Sequence, residues 1–157
     1  MSDFRVGFGF DAHRYSVTPP LVLAGIVVDE SRGVEATSDG DLVAHAVADG
    51  ILGACGLGDL GDHFPSTDSR FEGASSMRLL RTVFRLARAS RWWINNVDVT
   101  VIAEDLRIAP FRKEMTVALA ELLDCEQVSV KATTTDGMGF IGKGEGIAVA
   151  AVVTVTI

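Results

Sequence analysis

Three stretches of this chain place reactive side chains at spacings that suit chemistry. In Ser38-Asp39-Gly40-Asp41-Leu42-Val43-Ala44-His45, a helix over residues 40–54 puts Asp41, His45 and Asp49 on one stripe. An imidazole then lies between two carboxylates, one turn inside a helix whose N-terminus suits an anion. Asp11-Ala12-His13 ends a strand beginning at residue 4, so alternation turns Asp11 and His13 to one side. Gly7 and Gly9 lie behind them and leave room for close approach. Alone, the first stretch reads as a solvated stripe and the second as a capped turn. Together Asp11, His13 and His45 make a three-ligand set for zinc with a fourth position open, able to polarise a substrate oxygen. In the third stretch, residues 131–146, the hydroxyls of Thr133, Thr134 and Thr135 precede Asp136 and a glycine turn. Such a strand end suits phosphate oxygens and a hard cation, magnesium or manganese.

The elements that must hold these groups follow from periodicity. Val43, Val47, Gly50, Ile51 and Ala54 give the first helix its core face, with Ser38 or Asp39 as its expected N-cap. Residues 21–29 read as a hairpin or bulged strand and 31–38 as a loop. Residues 56–68 form a long loop dense in glycine and aspartate. Turn chemistry explains Asp62 and Asp68 there, and His63 is a weaker metal candidate than the set above. A second helix spans residues 75–90 with Ser75 or Ser76 as cap. Met77, Leu80, Val83, Phe84 and Ala87 face inward, while Arg78, Arg81, Arg85 and Arg88 read as a solvated face. Trp92 and Trp93 read as packing residues. A strand over 96–103, a helix over 110–123 opened by Pro110, and a strand over 128–135 follow. The last strand, 146–157, is apolar on both faces, which predicts that a subunit interface covers one of them.

With 157 residues the chain suits one domain, 1–157, and its 48% hydrophobic and 22% charged content is that of a globular protein. A net charge of −7 argues against nucleic acid as a partner. No apolar leader or membrane-length run occurs, so a cytoplasmic enzyme is expected. Cys55 and Cys125 lack CxxC spacing and read as reduced, partly buried thiols.

The motifs Gly9-Phe10-Asp11-Ala12-His13, Ser38-Asp39-Gly40-Asp41 through His45, Gly58-Asp59-Leu60-Gly61, Phe64-Pro65, residues 96–100, Lys131 to Asp136 and Gly144-Glu145-Gly146 occur in order along nearly the whole chain. In them the chain resembles the 2-C-methyl-D-erythritol 2,4-cyclodiphosphate synthase family. The resemblance implies a single-domain α/β (α+β) fold, a mixed β-sheet covered by helices on one side. It also implies a homotrimer with sheets packed around a threefold axis and active sites between subunits. By the same resemblance Asp11, His13 and His45 match zinc ligands, and Asp136 the ligand of magnesium or manganese. Ser38, Asp59 and Gly61 match positions at the methylerythritol part of the substrate; Thr133, Thr134 and Thr135 match phosphate and nucleotide contacts. Ala103 and Arg107 lie in the segment that surrounds cytosine. Phe10, Phe140, Lys143 and Glu145 match the lining of a central cavity that takes a diphosphate or isoprenoid. Asp136, Thr134 and Ser38 are the positions matched to catalysis.

Several positions depart from the family pattern. Thr37 replaces histidine, Asp136 glutamate, Ser66 aspartate and Lys143 arginine, and Glu104-Asp105-Leu106-Arg107 replaces a segment with a Pro-Lys pair. The implied reaction is a metal-assisted cyclisation of 4-diphosphocytidyl-2-C-methyl-D-erythritol 2-phosphate that releases CMP, a step of non-mevalonate isoprenoid synthesis. Two other classes fit the residues: a metal-dependent phosphohydrolase, and a non-catalytic trimeric protein that binds an isoprenoid diphosphate.

Overall fold

A computed structural model describes residues 3–157. Its elements run β1 (Phe4–Ser16), β2 (Leu21–Leu23), β3 (Ile26–Asp29), β4 (Gly33–Val34), α1 (Leu42–Cys55), α2 (Leu60–His63) and α3 (Ser76–Ala89). Then come β5 (Trp93–Ile102), α4 (Arg112–Leu123), β6 (Val128–Thr133), α5 (Gly139–Gly142) and β7 (Gly146–Thr156). Five strands form one mixed sheet in the order β4-β1-β7-β5-β6, and β2 and β3 make a separate hairpin. Among the described residues only β5 and β6 pair in parallel, joined through α4 as a parallel pair requires. The fold is α+β.

Glycine decides how α1 seats on the sheet. A Cβ on Gly9 would stand 1.7 Å from the Ala46 carbonyl oxygen, and one on Gly7 1.8 Å from that of Gly50. No side chain fits there, so helix and strand backbones touch directly. Val43, Val47, Ile51 and Ala54 are buried in the resulting core, with Ile147, Val149, Ala151, Val153 and Val155 of β7 beneath them.

The helix starts later than expected. Its N-cap is Asp41, where Ser38 or Asp39 was anticipated. Asp41 is 0% exposed, and its carboxylate accepts the N–H groups of Ala44 at 3.0 Å, Ala24 at 2.9 Å and Gly25 at 2.7 Å. One side chain thus caps α1 and clamps the β2–β3 turn, where Ala24 and Gly25 hold φ of 52° and 76°. Burial pushes its pKa up to about 6, against the pull of those three donors. Its role is structural, which removes it from the predicted stripe around His45. Asp49 leaves the stripe too, because it accepts the Leu60 N–H at 2.8 Å.

Smaller differences have local causes. The expected loop at 31–38 contains β4, which pairs with Tyr15 and Ser16. The loop at 56–68 contains α2, closed by a reciprocal Asp59–Asp62 capping box. Trp92 is buried but Trp93 lies on the surface under the Arg88 guanidinium. Pro110 precedes α4, whose first helical residue is Arg112. Cys55 and Cys125 are free and buried, as expected. Among the described residues no helix is long and apolar enough to cross a membrane.

The sheet face away from α1 is open. Val6, Phe8 and Phe10 on β1 are 58%, 64% and 52% exposed, and Val152 of β7 stands on the same face.

Asp41→Ala should strand the two buried donors of Ala24 and Ala44 and lower stability by about 2–4 kcal/mol. Chemical denaturation of the two proteins, compared at equal slope, checks this.

Candidate functional site

Strand β1 and helix α1 bring three of the sequence-selected side chains together. Asp11 and His13 sit two residues apart on the α1 side of β1, and His45 stands in the first turn of α1. One ligand atom from each lies within 4.8 Å of the others. Asp11 Oδ2 is 3.0 Å from His13 Nε2 and 2.9 Å from His45 Nδ1.

The outer nitrogens determine which atoms face the centre. His13 Nδ1 lies 2.8 Å from the Glu35 carbonyl oxygen, which can only accept, so that nitrogen carries the proton. His45 Nε2 lies 2.8 Å from Ser76 Oγ. Ser76 Oγ donates its only proton to Asp39 Oδ1, so it accepts from His45. In its neutral form each imidazole therefore turns a lone pair toward the Asp11 carboxylate, and in its protonated form each donates to it. Three acceptors converging on one point call for a cation. Either protons fill the place or a metal does, and two His with one Asp suit zinc with an open fourth position. A tetrahedral ion with bonds of about 2.1 Å spaces its ligands about 3.4 Å apart, somewhat wider than the 3.0 and 2.9 Å from Asp11 to the two imidazoles here.

The charges follow the same geometry. Burial disfavours ionised Asp11, but hydrogen bonds from His13 and His45 outweigh it and hold the pKa down at about 2. The Asp11 hydrogen bond raises His13 above 6.5, against burial.

On the His45 side of this cluster lies a cavity of about 240 Å³ lined by Thr37, Ser38, His45, Gly61, Phe64 and Ser66, among others. Ser38 Oγ faces His45 Nε2 at 3.2 Å. Asp59 is occupied in part by its capping bond to the Asp62 N–H. His63 bonds the Leu57 carbonyl and takes no part in the cluster.

The other sequence-selected residues form a separate group. Ala103, Arg107, Thr133 and Thr134 line a cavity of about 380 Å³ at the ends of β5 and β6. Glu104 shapes the neighbouring turn by accepting the Thr135 N–H at 3.2 Å and the Gly137 N–H at 3.0 Å. Asp136 is exposed there with φ of 52°, and the Thr134 hydroxyl lies 3.4 Å from its Oδ1. Phe140 and Glu145 border a third hollow beside His13, and Lys143 is exposed close by in sequence. Sequence pattern marks Asp39 and Ser76 only as helix caps and Glu104 only as a departure from the family pattern, and nothing in it marks the Glu35 carbonyl. In fact Asp39 caps α3 by accepting the Ser76 N–H at 3.1 Å, while the Ser75 side chain makes no capping bond.

These features define a class: a small α+β protein with an open two-His, one-Asp cation site beside a substrate-sized cavity. Its sequence matches the YgbB family model over residues 4–156, and the chain belongs to that family. The 2-C-methyl-D-erythritol 2,4-cyclodiphosphate synthase of Shewanella amazonensis is 50% identical over 151 residues, covering 95% of this chain and 94% of the relative. The synthase of Geobacillus kaustophilus is 48% identical over 152 residues, 96% of each chain. Among solved structures, bifunctional IspDF from Campylobacter jejuni superposes with a TM-score of 0.96 at 39% identity. It covers 99% of this chain, which spans 43% of that longer one. The CDP complex of IspF from Plasmodium falciparum matches at 0.84 and 32% identity, over 98% of this chain and 96% of that one.

The charges predict opposite pH trends with and without metal. His13, raised in the folded state, stabilises the metal-free protein fully below 6.5 and loses that contribution as pH rises through its folded pKa. Asp11, lowered, contributes above 3.8 and loses it as pH falls through about 2. The chelated protein should therefore melt lower at about pH 9 than at about pH 6, and His13→Ala should flatten that slope. Zinc affinity should rise over the same interval, with proton release visible by calorimetry in two buffers.

Proposed function

We propose that this chain converts 4-diphosphocytidyl-2-C-methyl-D-erythritol 2-phosphate to 2-C-methyl-D-erythritol 2,4-cyclodiphosphate and CMP. The observation that carries the reading is the convergence of Asp11, His13 and His45 beside a cavity that also holds Ser38 and Gly61. An oxygen of the 2-phosphate attacks the β-phosphorus, a new P–O–P bond forms, and the bond to the α-bridging oxygen breaks. CMP leaves with that electron pair. The nucleophile belongs to the substrate, so the protein needs no nucleophilic side chain. Its work is to crowd anionic groups together and neutralise them. Zinc on Asp11, His13 and His45, and magnesium or manganese on Asp136, would supply Lewis acids for the phosphate oxygens. Ser38, Asp59 and Gly61 hold the methylerythritol end, with Thr37 and Ser66 on the wall of the same cavity. The hydroxyls of Thr133, Thr134 and Thr135 contact phosphate, with Thr134 and Asp136 nearest the transferred group. The Ala103–Arg107 segment encloses cytosine.

Neither the hydrolase nor the simple binding protein is favoured, because the relatives carry the synthase name.

A distance within the subunit supports assembly. Ala12, Ala148, Ile102 and Thr133 are register partners in successive strands. Three interstrand steps put Ala12 and Thr133 about 14 Å apart. One phosphate cannot touch both the Asp11 cluster and Thr133 of the same subunit. We infer that a neighbouring subunit brings its own Thr133–Asp136 turn to the Asp11 cluster. The open apolar face of Val6, Phe8, Phe10 and Val152 is the surface to bury in that assembly, a homotrimer about a threefold axis. Phe10, Phe140, Lys143 and Glu145 would line its central cavity, where an isoprenoid diphosphate can sit.

Incubation with the cytidyl substrate and magnesium should release CMP and give a product that has gained no water. Hydrolysed product would overturn the reading. His45→Ala and Asp136→Ala should each lower turnover more than about 100-fold, the first with loss of zinc and the second without. Light scattering at micromolar concentration should give three chains per particle, and a clean monomer would contradict the shared site.

A further inference from the structure

We propose that a groove on α3 is a second anion site, distinct from the metal cluster, that takes a small organic molecule bearing two or more phosphates. The groove encloses about 570 Å³ and is lined by Arg70, Arg78, Arg81 and Arg85, with Phe64 and Phe71 on one wall. A volume of this size suits a small ligand. Four of the chain's 14 basic residues meet here although its net charge is −7. Convergence of one sign in a concave surface focuses the field far more than the same charges scattered.

The arginines are not there for one another. Arg78, Arg81 and Arg85 recur at i, i+3 and i+7 along α3, an arrangement that repels. No acidic side chain within the described residues makes an ion pair with any of them. Arg70 alone is paired, with Asp68. The periodicity of α3 marks these arginines as a solvated face, yet the 64–75 segment rises beside them and turns the face into a trough. At the open end Ser75 lines the groove as the N-cap of a 14-residue helix, and its side chain makes no capping bond.

The choice of ligand rests on the lining. Guanidinium forks match phosphate oxygens in pairs, which Lys would not do. Phe64 and Phe71, packed edge to face at 5.3 Å, offer an apolar wall for the remainder of the molecule. A nucleic acid needs an extended basic surface, and this one is a short trough on an acidic chain. The groove and the cavity at His45 share Phe64, Phe71 and Leu79 as a partition. A ligand in the groove therefore presses on the wall of the reaction cavity.

The test uses inorganic pyrophosphate as probe against the full chain in EDTA, which empties cation sites. Calorimetry should show one binding event that survives His45→Ala. It should weaken at least tenfold in the triple variant Arg78→Gln, Arg81→Gln, Arg85→Gln, with circular dichroism confirming that α3 is retained. Raising salt from about 50 mM to about 200 mM should weaken the native protein more than the triple variant. Equal affinity in the native and triple proteins would overturn the proposal, as would loss of binding in His45→Ala alone. Tighter binding of a polyglutamate peptide than of pyrophosphate would assign the groove to an acidic protein segment and overturn the small-ligand reading.

Discussion

The contact of Gly7 and Gly9 with α1 is the constraint on which the site depends. The Ala46 and Gly50 carbonyls occupy the space where side chains on β1 would be. That places the first turn of α1 directly over the strand positions that follow the glycines. Asp11 and His13 are the next two residues on the same side of β1, so His45 meets them without any loop in between. A site built on one strand and one helix is held more firmly than one assembled from loops. Residues far from any phosphate, Gly9 above all, thus set ligand separations of about 3 Å.

Polar contacts then orient the ligands that packing has brought close. The chain runs from the Glu35 carbonyl through His13, Asp11, His45 and Ser76 to Asp39. Each member has its proton assigned by its neighbour, which is what makes the inner nitrogens acceptors. The same contacts tie elements together, since Asp39 precedes α1 and caps α3. Asp41 adds the β2–β3 turn to this assembly. Attachment of the β2–β3 turn and of α3 to α1 is therefore carried by one short run, residues 38–45.

Local periodicity made much of this legible. The two-residue period of a strand was enough to turn Asp11 and His13 to one side and to leave Gly7 and Gly9 for close approach. The helical face of Val43, Val47, Ile51 and Ala54 was equally clear, and so was the convergence of His45 on the Asp11 pair. The N-cap was not. Ser38, Asp39 and Asp41 all have suitable side chains within four residues, and the choice fell to Asp41 through burial against Ala24 and Gly25, 17 and 16 residues away. Propensity cannot see such a contact. Nor could it pair Ser76 with His45 across 31 residues, or Arg32 with Asp105 across 73. Hydrogen bonds to backbone carbonyls, such as His13 to Glu35, leave no trace in side-chain pattern at all.

The Arg32 contacts show how far the two halves of the site depend on one chain. Arg32 binds Asp105 through two nitrogens at 2.9 and 3.0 Å, stacks on the Tyr15 ring at 3.9 Å and reaches Asp29 at 3.0 Å. Asp105 lies in the segment lining the β5–β6 cavity, and Tyr15 lies two residues beyond His13 on β1. Three residues past Arg32, the Glu35 carbonyl receives the His13 proton. A bidentate guanidinium with its face covered holds a more definite geometry than an exposed Lys pair. The segment that orients the metal-facing His13 is therefore clamped to the segment that lines the other cavity. In an assembly where each active site combines the metal side of one subunit with the β5–β6 side of the next, this clamp joins two different active sites through a single subunit.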